Sequence, residues 1–361
     1  MHATRVERAR AALAGLDADW LVVPPSADFV WLTGGHARST ERLVALALPR
    51  QGAPFCVVPR LEADALAAEC PDLELEVWEE SEDPFERLAR RLDLPRRPRL
   101  RVGEGLRVAP LLRLAAATPC APAAEALAPL RAVKDAAEIA LLEEAARHAD
   151  AVTEEAADFM RPGMTELEVG RFIADRFGTL GDRETWSIVA GGPNAALPHH
   201  ASSERRLAAG ECVLLDLGAF TGGYGSDITR VFWLGEPPEE AVRVHAVVDE
   251  ARARGIAAAR AGAACEDVDR AARAVIERAG HGEHFIHRTG HGVGLEIHEP
   301  PYLVAGNRAA LARGMVHSVE PGIYLPGRWG IRLEDLVVVE PDGGRALNHA
   351  PRDLRPPRLR R

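Results

Sequence analysis

Four carboxylates interrupt apolar, strand-like runs in the second half of this chain, and any fold must accommodate them. Asp216 stands inside VLLDLG, Asp227 follows a glycine-rich turn in GGYGSDITRVFW, Glu320 closes MVHSVE, and Glu334 breaks GIRLEDLVVV. Asp is depleted in strands, and acids on one face resist joint ionisation unless a cation lies between them. The first two belong to one unit. ECVLLDLGAFTGGYGSDITRVFWLG (211–235) reads as a hairpin turning at Gly222-Gly223. That register pairs Asp216 with Thr229 and Gly218 with Asp227, which makes Asp216 and Asp227 diagonal neighbours on one face. Taken singly, each acid could equally be a surface carboxylate at a strand end, although Asp216 argues against this by its apolar flanks.

A histidine-rich segment adds a fifth group. HGEHFIHRTGHGVGLEIHEPP (281–301) carries five of the 13 histidines. Gly290, Gly292 and Gly294 break any helix there, so His287 and His291 are not a helical zinc pair. HExxH fails because Pro300 and Pro301 follow Glu299, and a dinucleotide-type GxGxG loop fails because no long helix follows. One of these histidines is expected to be a ligand; the others could equally lie on the surface. Oxygen-rich ligation with a single imidazole suits manganese, iron, cobalt or zinc rather than a closed thiolate zinc site. Four carboxylates can neutralise and bridge two divalent ions, the arrangement that clamps both oxygens in hydrolysis.

Composition excludes other classes. The net charge of −10 argues against a general binder of nucleic acid or anionic membranes. No stretch of 18 apolar residues exists, and MHATRVERAR lacks the apolar core of a signal peptide. The five cysteines are scattered, odd in number and free of any CxxC, so they read as small buried apolar residues in a reducing, cytoplasmic setting. All but one of the 44 basic residues are arginine. The sole lysine, Lys134, sits in AVKDAA, outside any phosphate-cradling glycine loop. The arginine-rich end RPPRLRR reads as a solvated tail.

Along the chain, residues 19–25, 41–49, 53–59, 73–80 and 99–104 read as strands, with helices at 61–70 and 83–92 between them. This is an α/β domain with a mixed sheet, and the prolines near 118–131 read as a linker. Beyond it, two long helices and then strands occur twice. RPGMTELEV (161–169) matches RAGAACEDV (260–268) at arginine, glycine, an acid and valine. Thr165 and Glu168 form a capping-box pattern. The element order predicts two similar halves related by a pseudo-two-fold axis, with a site between them.

In order and spacing these segments resemble the pita-bread metallopeptidases, which include methionine aminopeptidase, aminopeptidase P and prolidase. Asp216, Asp227, His291, Glu320 and Glu334 fall on that family's five metal-ligand positions, and the N-terminal region resembles the amino-terminal domain of aminopeptidase P, prolidase and creatinase. The resemblance implies an N-terminal creatinase-like α/β domain (1–125) and an α+β pita-bread catalytic domain (126–361). Methionine aminopeptidase generally lacks the first domain, which favours the proline-directed branch. Creatinase lacks the metal ligands, and all five are present here.

The implied activity is hydrolysis of the bond between an N-terminal residue and proline, by a dipeptidase of the prolidase type. The alternative is an aminopeptidase P acting on longer peptides, and a distant one is a metal-free binding module. Two divalent ions are implied, manganese first, with cobalt or zinc as alternatives. Glu320 would also shuttle a proton, and His199 in NAALPHH, rather than His200, would join His298 in holding the transition state. His287 and Arg332 stand where the proline-specific members place them, on the substrate side. Their plainer readings are a structural hydrogen bond and a salt bridge to a ligand carboxylate. Arg38, with Arg42 in the same loop, could read the substrate's carboxylate across a homodimer or simply be solvated. Small peptides with proline second are the expected partners, with no nucleic acid and no membrane.

Overall fold

The computed structural model describes residues 1–354; the tail at 355–361 lies outside the described residues. The chain divides into two compact units, Met1–Arg131 and a second that begins at Ala132.

The first unit is built on six strands, β1 (Trp20–Val23), β2 (Ala45–Pro49), β3 (Phe55–Pro59), β4 (Glu74–Trp78), β5 (Leu100–Val102) and β6 (Cys120–Pro122), in the order β4-β3-β2-β1-β5-β6. The β1–β2 and β2–β3 pairs are antiparallel, and β3–β4, β1–β5 and β5–β6 are parallel. The sheet is therefore mixed, and all five expected strands form. Parallel neighbours need a crossover; the helix Arg60–Glu69 supplies it between β3 and β4, and Val108–Ala117 between β5 and β6. Every residue of β2 and β3 is buried, as befits strands covered on both faces. The stretch read as a linker is instead β6 followed by the helix Ala124–Ala132. Its prolines misled because β6 is an edge strand, where a residue without an N–H leaves no ladder bond unmade.

The second unit repeats its plan. The helices Ala136–Phe159 and Glu166–Thr179 precede β7 (Arg183–Gly191), β8 (Cys212–Thr221), β9 (Tyr224–Gly225) and β10 (Ile228–Trp233). The helices Glu239–Ala258 and Cys265–Arg278 precede β11 (Gly290–Gly292), β12 (Glu299–Leu303), β13 (Val316–Val319), β14 (Gly322–Leu325), β15 (Trp329–Arg332), β16 (Asp335–Val339) and β17 (Gly344–Ala346). The sheets run β10-β8-β7, with β9 on β8, and β12-β11-β13-β16-β17, with β14-β15 as a separate ribbon.

The sequence repeat holds at the level of single hydrogen bonds. Gly163 and Gly262 both take the left-handed conformation that favours glycine. Their N–H groups donate to the carbonyls of Leu207 and Leu311, which donate back to Met164 and Ala263. Glu168 and Asp267 then cap their helices, accepting from the N–H of Thr165 and Ala264 at 2.6 and 3.2 Å; the Thr165 hydroxyl completes the expected box.

Strand alternation decides what faces inward. On β8, Val213, Leu215 and Leu217 pack with Val152, Ile173 and Phe177 of the first helix pair. Leu214 points the other way, toward Val248, Ile276, Ile323 and Ile331. Asp216 shares the parity of Leu214, so its side chain is delivered to the inner face rather than to the helices. The cysteines are all free; four are buried and Cys120 is half-buried. Among the described residues no helix is long and apolar enough to cross a membrane.

Candidate metal centre

The hairpin forms in the expected register. Asp216 pairs with Thr229 across β8 and β10, and Thr221 pairs with Tyr224 across Gly222-Gly223. Both glycines have positive φ, 56° and 88°, as a two-residue primed turn requires. Asp227 stands in the break between β9 and β10. Gly218 is needed there, because a Cβ would come within 2.0 Å of the Ser226 carbonyl oxygen. Glu320 and Glu334 occupy the breaks between β13 and β14 and between β15 and β16, and His291 lies within β11. The breaks let carboxylates from three segments turn toward one point.

An oxygen of Asp227, a ring nitrogen of His291 and an oxygen of Glu334 lie within 4.8 Å of one another. His291 Nε2 is 3.4 Å from Glu320 Oε1 and 3.7 Å from Asp227 Oδ2. Its Nδ1 donates to the Gly292 carbonyl at 3.2 Å, which leaves the Nε2 lone pair aimed at the acids. The Thr229 hydroxyl donates to Glu334 Oε2 at 2.6 Å, the Ser318 hydroxyl to Glu320 Oε1 at 3.2 Å, and the Arg332 guanidinium to Asp216 Oδ2. Asp216 Oδ1 and Asp227 Oδ1 are buried with no hydrogen-bond donor. A buried carboxylate oxygen left alone is costly. Four acids, one imidazole and two orphaned oxygens are a donor set that fits divalent cations.

Electrostatics agree with that fit. Burial first, and then the neighbouring acids Glu334, Asp216 and Glu320, push the Asp227 carboxyl well above the usual range. Glu334 is raised likewise, by burial and then by Glu320 and Asp216. Burial, reinforced by Asp216 against the pull of Arg332, lifts Glu320 to about 7. His291 is lowered to about 3, by burial and then by His298, which keeps the imidazole neutral, as a ligand must be.

The acids lie at a cavity of 690 Å³ whose lining includes the apolar side chains of Trp186, Ile188, Pro198 and Ile297. His199, His287, His298 and Arg332 line it too. His199 is exposed to the cavity, whereas the His200 ring turns away and donates from Nε2 to Glu166 Oε2 at 2.8 Å. The His298 ring centre is 4.2 Å from that of His291. His287 is lowered to about 3, by burial and then by Arg332, and its Nδ1 donates to the Arg288 carbonyl. Its Nε2 therefore accepts from the Tyr324 hydroxyl at 2.8 Å. Arg332 donates to Tyr324 Oη at 2.8 Å and to Thr229 Oγ1 at 3.0 Å, besides Asp216. Both plainer readings of His287 and Arg332 thus describe bonds that exist. Arg38 is exposed in the first unit, and Arg42 is paired with Glu80 and Glu41.

Sequence reasoning missed Tyr324, Thr229, Ser318 and Glu166. Thr229 was within reach, since the hairpin register already set it opposite Asp216. Tyr324, one of three tyrosines, lies between two ligand candidates in EPGIYLPG; nothing local to Ser318 or Glu166 marks either.

Residues 140–341 match the profile of metallopeptidase family M24, and residues 5–133 match the creatinase/prolidase N-terminal domain. The chain is 39% identical to the probable dipeptidase PepE of Mycobacterium tuberculosis, over 98% of this chain and 96% of that one. Among solved structures it is similar to dipeptidase PepE from Mycobacterium ulcerans, with TM-score 0.92, 39% identity and coverage of 98% and 97% of the two chains. It is also similar to the recombinant prolidase from Thermococcus sibiricus, with TM-score 0.92, 33% identity and coverage of 98% and 99%.

Proposed function

The chain belongs to metallopeptidase family M24, and from that premise we propose that it is an Xaa-Pro dipeptidase, hydrolysing the bond between an N-terminal residue and proline. The observation that carries this reading is the buried set of four carboxylates and one neutral imidazole, with two carboxylate oxygens unsatisfied, at a cavity with an apolar wall. The relatives named dipeptidase and prolidase, similar over nearly the whole chain, support it.

Asp216, Asp227, His291, Glu320 and Glu334 would hold two divalent ions, manganese by our reading. When bound, such ions supply Lewis acidity at the scissile carbonyl and neutralise the charge that develops there. Glu320, at the cavity, takes a proton from the attacking water and passes it to the departing proline nitrogen. His199 and His298, at the cavity and outside the acid cluster, donate hydrogen bonds to the carbonyl oxygen as it becomes an anion. His287 and Arg332, tied together through Tyr324, form a fixed wall on the substrate side. Arg38 is assigned to the proline carboxylate, which requires a homodimer. The five free cysteines suit a reducing, cytoplasmic setting.

The test is hydrolysis of Ala-Pro, Ala-Pro-Ala and Met-Ala-Ala by manganese-loaded protein, with chelation as control. Ala-Pro is expected to have the highest kcat/KM, lost on chelation and restored by manganese. A preference for Ala-Pro-Ala replaces the dipeptidase reading with the aminopeptidase one, and activity indifferent to chelation removes both. Arg38→Ala should cost roughly 30- to 150-fold in kcat/KM on Ala-Pro, the worth of a charge-assisted hydrogen bond, and much less on the tripeptide.

A further inference from the structure

The two histidines assigned to the transition state share an unusual setting. Each is exposed, and each is followed in sequence by a residue bonded to a buried, oppositely placed polar side chain. His200, next to His199, donates to Glu166 at 2.8 Å. Glu299, next to His298, receives the Lys134 ammonium at 2.6 Å. The side chains of Glu166, Lys134 and Glu299 are almost wholly buried, at 0, 1 and 3% exposure.

Glu166 is a hub. Its Oε1 accepts from the Gly191 N–H at 2.9 Å and the Asn194 amide at 2.8 Å. Its Oε2 accepts from His200 and from both the N–H and hydroxyl of Ser203, at 2.9 and 2.8 Å. These donors span the loop 191–203 on both sides of His199, so a single carboxylate fixes the segment that presents the ring. Burial works to raise the Glu166 carboxyl, but the donated bonds outweigh it and hold it below its usual value, ionised and able to accept all five.

Lys134 plays the matching part on the other side. Its backbone N–H donates to the Gly314 carbonyl, and its ammonium reaches Glu299 against the backbone of Gly294. A Cβ on Gly294 would lie 2.6 Å from Glu299 Oε1 and 3.1 Å from Lys134 Cε. An ammonium is a compact point charge, and a guanidinium is a broad planar fork. The tight fit accounts for a lysine at this one position in a chain otherwise supplied with arginine.

We propose that Glu166 and Lys134 are positioning residues, which set His199 and His298 through the buried pairs Glu166–His200 and Lys134–Glu299. The proposal rests on the reading that the two histidines act on the substrate. Its test is a pair of double-mutant cycles on Ala-Pro hydrolysis by metal-loaded enzyme: Glu166→Gln with His199→Ala, and Lys134→Met with His298→Ala, with the crossed pairs as controls. Each anchor variant is expected to lower kcat by about 10- to 100-fold, the scale of a small misplacement of a reacting group. KM and metal content should stay near wild type. With its own histidine already alanine, each anchor variant should cost less than about twofold more, while in the crossed pairs the losses multiply. Equal losses with and without the neighbouring histidine overturn the proposal, as does metal loss in proportion to activity. If His199→Ala and His298→Ala themselves keep wild-type kcat, the reading of the histidines is at fault and the proposal falls with it. Where an anchor variant does not fold, His200→Gln and Glu299→Gln weaken the same pairs from the other side and carry the same cycles.

Discussion

Glu334 and Asp335 are neighbours in the chain, both almost wholly buried, and their surroundings are opposite. Asp335 is closed off by guanidinium groups: Arg230 reaches Oδ1 at 2.7 Å and Arg252 reaches Oδ2 at 2.6 Å. Arg230 spends its remaining donors on the carbonyls of Thr229, Glu334 and Ala350. Glu334 faces Asp227, Asp216 and Glu320, with the Arg332 guanidinium bonded to Asp216. A single bridge, Thr229 to Glu334, separates the two environments. Successive side chains point to opposite faces, so Thr229 and Glu334 turn to the cavity while Arg230 and Asp335 turn away. A buried carboxylate whose charge is matched by protein serves the fold. One whose charge is unmatched is strained until something else supplies the countercharge.

The largest expected effect breaks the open cluster. Asp227→Asn should remove nearly all Ala-Pro hydrolysis and lower the bound metal, measured by elemental analysis, while the metal-free protein keeps or gains stability because one repelling charge is gone. Full activity with no metal would abolish the contrast drawn above.

The next effect breaks the closed cluster. Asp335→Ala leaves the buried Arg230 guanidinium without its acid, Arg252 keeping Asp249, and should cost about 3–5 kcal/mol of stability, read from urea unfolding of metal-free protein. A loss below about 1 kcal/mol would mean that the closed pair is no more structural than the open one.

Smaller again is the loss of a group beside the open cluster. His298→Ala should lower kcat by at least ~100-fold, the scale of one oxyanion donor, with metal content unchanged. Loss of the metal in this variant would move His298 into the ligand set.

The smallest effect is one of slope. Glu320 titrates near 7 in the folded metal-free protein, above the 4.5 of an unfolded glutamate. The folded state therefore holds that proton more tightly, and the stabilisation, complete below about pH 4.5, is lost as pH rises toward 7. His287 and His291, both lowered to about 3, and His317, lowered to about 4, all by burial first, have the opposite sign: each costs stability as pH falls below 6.5. Set against these histidines, the Glu320 contribution is read as a difference: in thermal melts of metal-free protein, wild type should lose stability relative to Glu320→Gln as pH rises from 5 to 7. A difference between the two proteins that stays constant or runs the other way across the same interval would show that Glu320 is matched after all.

Much of this protein is written locally. The hairpin register that sets Asp216 opposite Thr229, the capping box at Thr165, five of the six strands of the first unit and the repeat around Gly163 and Gly262 all show in residues close in sequence. Turn chemistry and periodicity report such residues directly. The prolines of 118–131 were misjudged for the converse reason: whether a proline breaks a strand depends on which edge the strand occupies, and the neighbouring strand lies elsewhere in the chain. That Arg230 belongs to Asp335, that Tyr324 joins His287 to Arg332, and that Glu166 and Lys134 stand behind the cavity histidines are matters of tertiary structure. The partners are separated by 105 residues in the first case and 165 between Lys134 and Glu299. A charge carries no local mark of the charge that will face it; only folding the two halves together decides which acids are answered by protein and which are left to a metal.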